Sequence, residues 1–591
     1  MRAIIRTTFV ALLLLVSSQL LTAQTTWYVR TPGAGLGDGT SVGNAAALIS
    51  DLNWANVNDG DYIDIGPGDF GPATISKNVT ITGANAGVPL ANWGAVTSLK
   101  GALTMSGAAR TVTIEGIQFS KKYDGDPVTP VNGTSLDAVV VITNCKFIEA
   151  AAINTTGLTW AELVISNCEF DGDDGNAGTG AAAANAIIAD ALTTTVDIRE
   201  NTIRDYTETA LSLLGANGTI LVKYNEFYNN NTGAASNSST YAALTFAGGT
   251  ITGSAEIQNN LFGGAEGDGN KNCIYVTGTI TGKTISVQYN KFQSTVSTYY
   301  AIKNAGSGSL SASCNAYGNN VAGSTVRNLT SGSVEAGPYN SVGTDADGNA
   351  IGFEPATAEK CATDGPVKTT GQPSKSYFRI QPAIDASSAG NEVKISADTY
   401  TENLTINKNL TIRTYTANGA TLDTADARSK NSGWVELTGT ITVTSAAGTV
   451  TINGIKFTEA TNASSQVIVT NASVQTNINN CCIDIDPSST ISTIPTNGAI
   501  HLARAGQLLV FQSKITRPAP DVSEYIRALT CASGNGSKLV YVENCDIEGT
   551  IKLSGLSSLS VVTIKANNID DAGIDGISVT GNTIKNLTIQ Q

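Results

Sequence analysis

Charge is scarce in this chain: 14% of its residues are Asp, Glu, Lys or Arg, and the basic ones stand singly along its length. Without a clustered basic stripe it lacks the footprint by which proteins hold nucleic-acid phosphates. Histidine is represented by His501 alone, between Ile500 and Leu502, which places it on the outward side of a strand. Long helical periodicity is missing, apart from short pieces such as Asn44–Leu52 and Tyr377–Ser387. Past the start, no run approaches the ~20 consecutive apolar residues of a membrane-crossing helix. The start itself, MRAIIRTTFVALLLLVSSQLLTAQ, sets Arg2 and Arg6 ahead of an apolar run from Phe9 to Val16 and then Leu21-Thr22-Ala23. That is the plan of a secretory signal peptide over residues 1–23, and it predicts a secreted or cell-surface product. Removing Arg2 and Arg6 from the 35 basic residues leaves 33 against 49 acidic ones, a net charge of −16.

What is plentiful is Gly, with 60 residues, together with Thr, Ser and Asn, while apolar residues still reach 41%. This composition suits β-structure with many tight turns. A length of 591 residues calls for two or more units.

A duplication organises the chain. GALTMSGAARTVTIEGIQF (101–119) and GTITVTSAAGTVTINGIKF (439–457) agree at eleven of nineteen positions without a gap. Looser copies of VTIEGIQF follow: VVITNCKF (140–147), LVISNCEF (163–170), VDIRENTI (196–203), ILVKYNEF (220–227), AEIQNNLF (255–262), ISVQYNKF (285–292) and LSASCNAY (310–317). The later half adds TNINNCCI (476–483), LLVFQSKI (508–515), VYVENCDI (540–547) and VTIKANNI (562–569), so the spacing is 22 to 35 residues. In each copy apolar residues alternate, then a Gly or Asn bend precedes a second short strand. About three such strands fill one coil, and a coil buries its inner face only by stacking on its neighbours. The pattern therefore predicts an all-β solenoid with rows of Phe, Ile, Val and Cys inside. Phe119, Phe147 and Phe170 should lie on top of one another.

The repeat resembles that of right-handed parallel β-helix proteins of the pectate-lyase-like superfamily. DYIDIGPGDFGPATISKNVTI (61–81) and NEVKISADTYTENLTINKNLTI (391–412) are similar to that superfamily's first coil, which a short amphipathic helix caps. Asn44–Leu52 and Ile380–Ser387 are the expected cap helices. SCNAYG (313–318) with GTDADGNAIGFEP (343–355) is similar to a module end in secreted bacterial surface proteins, often of the Bacteroidota. Two tandem β-helix modules are expected, over residues 24–330 and 376–591, with a module end and linker over 331–375. The last residues, GNTIKNLTIQQ, keep the strand pattern, which leads us to expect a further C-terminal domain or surface anchor.

Nine cysteines in an exported chain invite a disulfide reading. Cys145, Cys168, Cys481 and Cys545 share the repeat position held by Ile117 and Ile455, so they read as an internal stack of thiols. Cys314 and Cys361 flank the module end and form the disulfide candidate.

Glycan lyases of the resembled fold hold Ca²⁺ with carboxylates and use Lys or Arg as base. Candidates here are Asp171, Asp173 and Asp174, with Arg199 and Arg204 one coil later, against the reading that 171–176 is a solvated turn. A second set is Asp484 and Asp486 with His501, Arg504, Lys514, Arg517 and Arg527 from nearby coils, against the reading that these simply form ion pairs. Asp345, Asp347, Asn349 and Glu354 have the alternating oxygens of a structural calcium site, and Glu266-Gly-Asp268-Gly-Asn270 is a weaker version. The Gly-His-Gly and Arg-Ile-Lys of polygalacturonase-like hydrolases are absent, and Asp570-Asp571 stands without the rest of that set. The expected function is thus a secreted, non-catalytic surface protein that binds a polysaccharide or cell-surface glycan. The runner-up is a calcium-dependent polysaccharide lyase or glycoside hydrolase. A threonine-ladder ice- or crystal-binding face is disfavoured, because no Thr-x-Thr recurs at one fixed position.

Overall fold

The structure, a computed structural model, describes residues 24–590 outside the stretches 121–129, 174–182, 232–240, 264–269, 294–298, 416–426, 428–432, 459–466, 485–498, 517–526, 532–537 and 571–576 and shorter ones of one to four residues. The signal-peptide segment lies outside the described residues. Two compact units emerge: one runs to Gly308 and includes Ala316–Gly318 and Gly343–Ala356, the other comprises Ser309–Asn315, Asn319–Val342 and Thr357–Gln591.

Each unit is a parallel β-helix. In the first, the long strands Thr111–Glu115, Val139–Thr143, Glu162–Ser166, Thr195–Arg199, Thr219–Lys223, Ser254–Gln258 and Ile285–Gln288 are successive parallel neighbours in one sheet. The short strands after the bend, from Gln118–Phe119 through Lys146–Ile148, Glu169–Asp171, Thr202–Arg204 and Glu226–Tyr228 to Lys291–Phe292, stack into a second sheet. Ile187–Ala189, Leu211–Leu214, Leu244–Ala247 and Ile274–Val276 belong to a third. The second unit repeats the plan, with long strands from Glu392–Ser396 to Asn586–Gln590 and short strands from Asp398–Thr401 to Asn568–Asp570.

The expected interior row is present. Phe119 stacks on Phe147 at 4.9 Å between centroids and Phe147 on Phe170 at 4.3 Å, with all three rings buried. Ile203 takes the next place, and Phe227, Phe262 and Phe292 resume the stack. These separations match the spacing of adjacent strands, so in-register pairing alone brings the rings together. Each such ring withdraws apolar surface worth roughly 2 kcal/mol.

The bend residue is left-handed in coil after coil: Gly116 (φ 70°), Asn144 (50°), Asn167 (51°), Glu200 (55°), Tyr224 (55°), Asn259 (58°) and Tyr289 (58°). Glu200 has no conformational freedom suited to that region, which costs an ordinary L-residue about 1–2 kcal/mol. Glu200→Gly is therefore expected to stabilise the first unit by about 0.5–1 kcal/mol, read as a higher midpoint in urea with an unchanged slope.

The residue after the bend points inward and satisfies backbone groups across coils. Asn201, Asn225, Asn260 and Asn290 form a fully buried ladder, in which the amide of Asn225 donates to Asn260 Oδ1 at 2.9 Å and that of Asn260 to Asn290 Oδ1 at 2.8 Å. Cys168 and Cys145 occupy earlier rungs: the Cys168 N–H donates to Asn201 Oδ1 at 2.9 Å and the Cys145 N–H to Cys168 Sγ at 3.4 Å. The same rung in the second unit is held by Cys481, Ser513, Cys545 and Asn567. All four repeat cysteines are buried free thiols.

The expected helix over Asn44–Leu52 is replaced by two 3-10 turns, Val42–Asn44 and Ile49–Asp51. The reason is backbone competition: Ala46 N–H donates to Tyr28 O and Ala46 O accepts from Arg30, so this stretch pairs beside the strand Thr26–Val29. The second expected helix forms over Ile380–Ala386, with Ile380, Pro382, Ala383 and Ile384 buried, and its apolar side chains join the core of the second unit. Glu402 holds its N-terminus, accepting from the N–H groups of Ile380 and Gln381 at 2.9 and 3.0 Å. A further helix, Gly323–Leu329, was not legible in the apolar pattern. Cys314 and Cys361 are joined by a disulfide that closes a separation of 47 residues, a crosslink of a length worth about 4 kcal/mol through chain entropy.

Candidate functional site

Outward positions of the short strands bring several ionisable side chains together. Along the first unit's short-strand sheet, register places Gln118, Lys146, Glu169, Thr202 and Glu226 in one column. Ile148, Asp171, Arg204 and Tyr228 form the adjacent one. Lys146 Nζ lies 3.0 Å from Glu169 and 5.3 Å from the centre of the partly exposed Trp93 ring. Arg204 is the hub: its guanidinium contacts Asp171, Asp205 at 2.9 Å and Glu169 at 3.4 Å. Asp171 also accepts from the Asp173 N–H at 3.1 Å, and Gly172 leaves room for Asp205 O, which would stand 2.5 Å from a Cβ there.

Burial pushes the Asp171 carboxyl up to about 6, only partly offset by the Arg204 charge. Burial raises the Tyr228 phenol as well, with Arg204 acting in the opposite sense. Because the folded carboxyl titrates above its ordinary value of 3.8, Asp171 favours folding fully only below about pH 4, and that contribution fades as pH rises through about 6. Asp171→Asn should abolish this dependence, gaining on the order of 2 kcal/mol relative to the parent between pH 4 and 7 after allowance for solvent screening. Urea melts of both proteins at pH 4, 5.5 and 7 check it.

Arg199 is not part of this cluster. It faces outward from the long-strand sheet and pairs with the buried Asp197 on its own strand, Nε to Oδ1 at 3.0 Å. Asp174 lies outside the described residues. The side chains that reading the repeats for acidic loops missed are Lys146, Glu169, Trp93 and Tyr228. Lys146 and Glu169 could have been found by aligning TNCKF and SNCEF, since both occupy the Gln118 position.

In the second unit, Asp484 pairs with Lys456 at 3.1 Å, and Lys456 lies 3.7 Å from Glu436 one coil earlier. Burial works against the Lys456 ammonium, but Asp484 and Glu436 raise it above its ordinary value. Lys514 adjoins Cys482 by register, and burial beside Asp484 pushes the Cys482 thiol up to about 12. His501 belongs to a different sheet, on the strand Ile500–Leu502, and is buried; burial and the Lys538 charge lower its proton affinity. It therefore stands on a different sheet from Asp484. Asp486, Arg504 and Arg517 lie outside the described residues, and Arg527 is placed only as the start of the strand Arg527–Cys531.

For the calcium candidate, Asp345 and Glu354 close on each other: Glu354 N–H donates to Asp345 Oδ1 at 3.1 Å and Ala346 N–H to Glu354 O at 2.7 Å. Asp347 and Asn349 lie outside the described residues, as do Glu266 and Asp268. Nearby, burial raises the Glu226 carboxyl, with Asp345 adding to the effect. Asn270 is committed to a second buried ladder, accepting from the Asn230 amide at 3.1 Å. Among the described residues no group of three or more His, Cys, Asp or Glu side chains is placed to hold a metal ion.

No family model matches the chain, and no curated protein is detectably similar to it in sequence.

Proposed function

We propose that the protein is a secreted, non-catalytic surface protein of the pectate-lyase-like β-helix superfamily, whose short-strand face in the first module binds a glycan. The observation that carries this reading is the Lys146–Glu169–Arg204–Asp171 row. Its cations are all committed to carboxylates, so none is poised as a free base, yet donors and acceptors alternate along an outward strip with Trp93 at one end and Tyr228 at the other. Such strips suit sugar hydroxyls, which both donate and accept, and ring C–H faces, which pack on aromatics. Export follows from the N-terminal segment, and among the described residues no helix is long and apolar enough to cross a membrane.

The test is affinity electrophoresis of the mature protein through gels containing polysaccharides, with reducing-end and unsaturated-end assays on the same polymers. Retardation without new chain ends is the expected result. A second reading, a polysaccharide lyase, draws on one observation, the Asp171 carboxyl raised to about 6, since tuned carboxyls recur in active sites. It predicts rising ultraviolet absorbance from unsaturated uronate ends when calcium is supplied.

A further inference from the structure

Resting on the glycan-binding reading, we infer that this strip takes an uncharged polysaccharide and discriminates against polyuronates. Two observations point the same way. First, the charges in direct contact are Lys146 and Arg204 against Glu169, Asp171 and Asp205, an excess of one carboxylate, in a chain whose formal net charge is −14. A uronate carboxylate would approach a negative patch. Second, Arg204 already contacts all three of these carboxylates. Its planar donors, the part of the strip that could take a carboxylate in bidentate fashion, are consumed internally, and displacing Asp171 would leave a buried carboxylate unpaired. A neutral polymer avoids both penalties, because its hydroxyls donate to the outer carboxylate lone pairs and accept from the Lys146 ammonium without displacing the Arg204 pairs.

The dimensions also fit a chain molecule. From Lys146, beside Trp93, to Tyr228 the strip crosses three coil rises by register, about 14 Å at the spacing of adjacent strands. This is room for a short run of pyranose rings lying along the solenoid. Burial of the stacking rings, not ion pairing, then supplies the affinity, which should be nearly indifferent to salt.

The experiment compares the mature parent protein with Trp93→Ala, Trp93→Phe and Tyr228→Ala. The probes are unsubstituted β-glucan, mannan and xylan against polygalacturonate and alginate, at low and at 0.5 M salt, with circular dichroism to confirm folding. The expected result is at least tenfold tighter binding to one neutral polymer than to either polyuronate. That binding should change less than twofold with salt, fall tenfold or more in the two alanine variants and be largely retained in Trp93→Phe. Tighter binding to a polyuronate, or loss of affinity in salt, overturns this inference and leaves the glycan reading standing. Neutral-polymer binding unchanged in both folded alanine variants overturns the location. Absence of binding to every polymer defeats both.

Discussion

Arg327→Ala is expected to destabilise the second unit by about 3–5 kcal/mol, on the order of 10 °C in its melting temperature. Arg327 projects from the helix Gly323–Leu329 and is 7% exposed. Its Nε donates to Phe378 O at 2.9 Å, its terminal nitrogens reach Thr399 O and the Asp398 carboxylate, and the guanidinium lies 4.3 Å from the centre of the Tyr400 ring. Arg379 holds the C-terminal end of the same helix, donating to Arg327 O at 3.1 Å and to Thr330 O just past it at 2.9 Å. Truncation leaves two carbonyls and a carboxylate without the donors that satisfy them, and that loss, not the ion pair itself, sets the size. Arg327→Lys keeps the charge but not the fork, so it should fall between the two. Calorimetry in which Arg327→Ala melts within 1 °C of the parent would show that the helix is merely laid on the surface.

The second large effect is expected inside the first unit. Asn260 sits mid-ladder: its amide donates to Val222 O and Asn290 Oδ1, both at 2.8 Å, and its Oδ1 accepts from the N–H and the amide of Asn225, both at 2.9 Å. Asn260→Ala leaves a cavity and several buried groups without their partners, a loss of about 3 kcal/mol. Asn260→Cys imitates the rungs at Cys145 and Cys168, whose sulfurs accept weakly, so it should cost roughly half as much. The comparison is made by urea denaturation at neutral pH. Equal effects of the two substitutions would mean that volume, not hydrogen bonding, holds the rung.

Both effects lie on a scaffold whose logic is unevenly written in the chain. The alternation Val112, Ile114, Ile117, Phe119 and its copies states which side chains enter the core, because strand periodicity is local and every coil restates it. The bend is stated equally plainly at Gly116, Asn144 and Asn167 but is hidden at Glu200, Tyr224 and Tyr289, where only the in-register neighbours force a left-handed residue. The Asn ladder lies between these cases. Asn201, Asn225 and Asn260 share the Cys168 position in the repeat, so alignment locates them. Their mutual bonds depend on stacking.

The ion pairs were the least legible. Arg199 and Arg204 are five residues apart and both follow the acidic loop at 171–176, yet Arg204 meets Asp171 while Arg199 turns to Asp197. The two arginines lie on different sheets of the same coil, separated by the bend at Glu200. Likewise Asp484 and His501 looked like partners in sequence, but they stand on separate sheets.

The sequence by itself determined the strand period, the inward rows, the duplicated coil and the parallel β-helix that follows, since each is a short-range pattern repeated many times. Tertiary structure alone decided which charged groups touch, how deeply Asp171 is buried and where Arg327 docks. Those outcomes depend on the register between coils whose lengths vary from 22 to 35 residues, and side chains far apart in the chain meet only when that register is set by the buried rows beneath them.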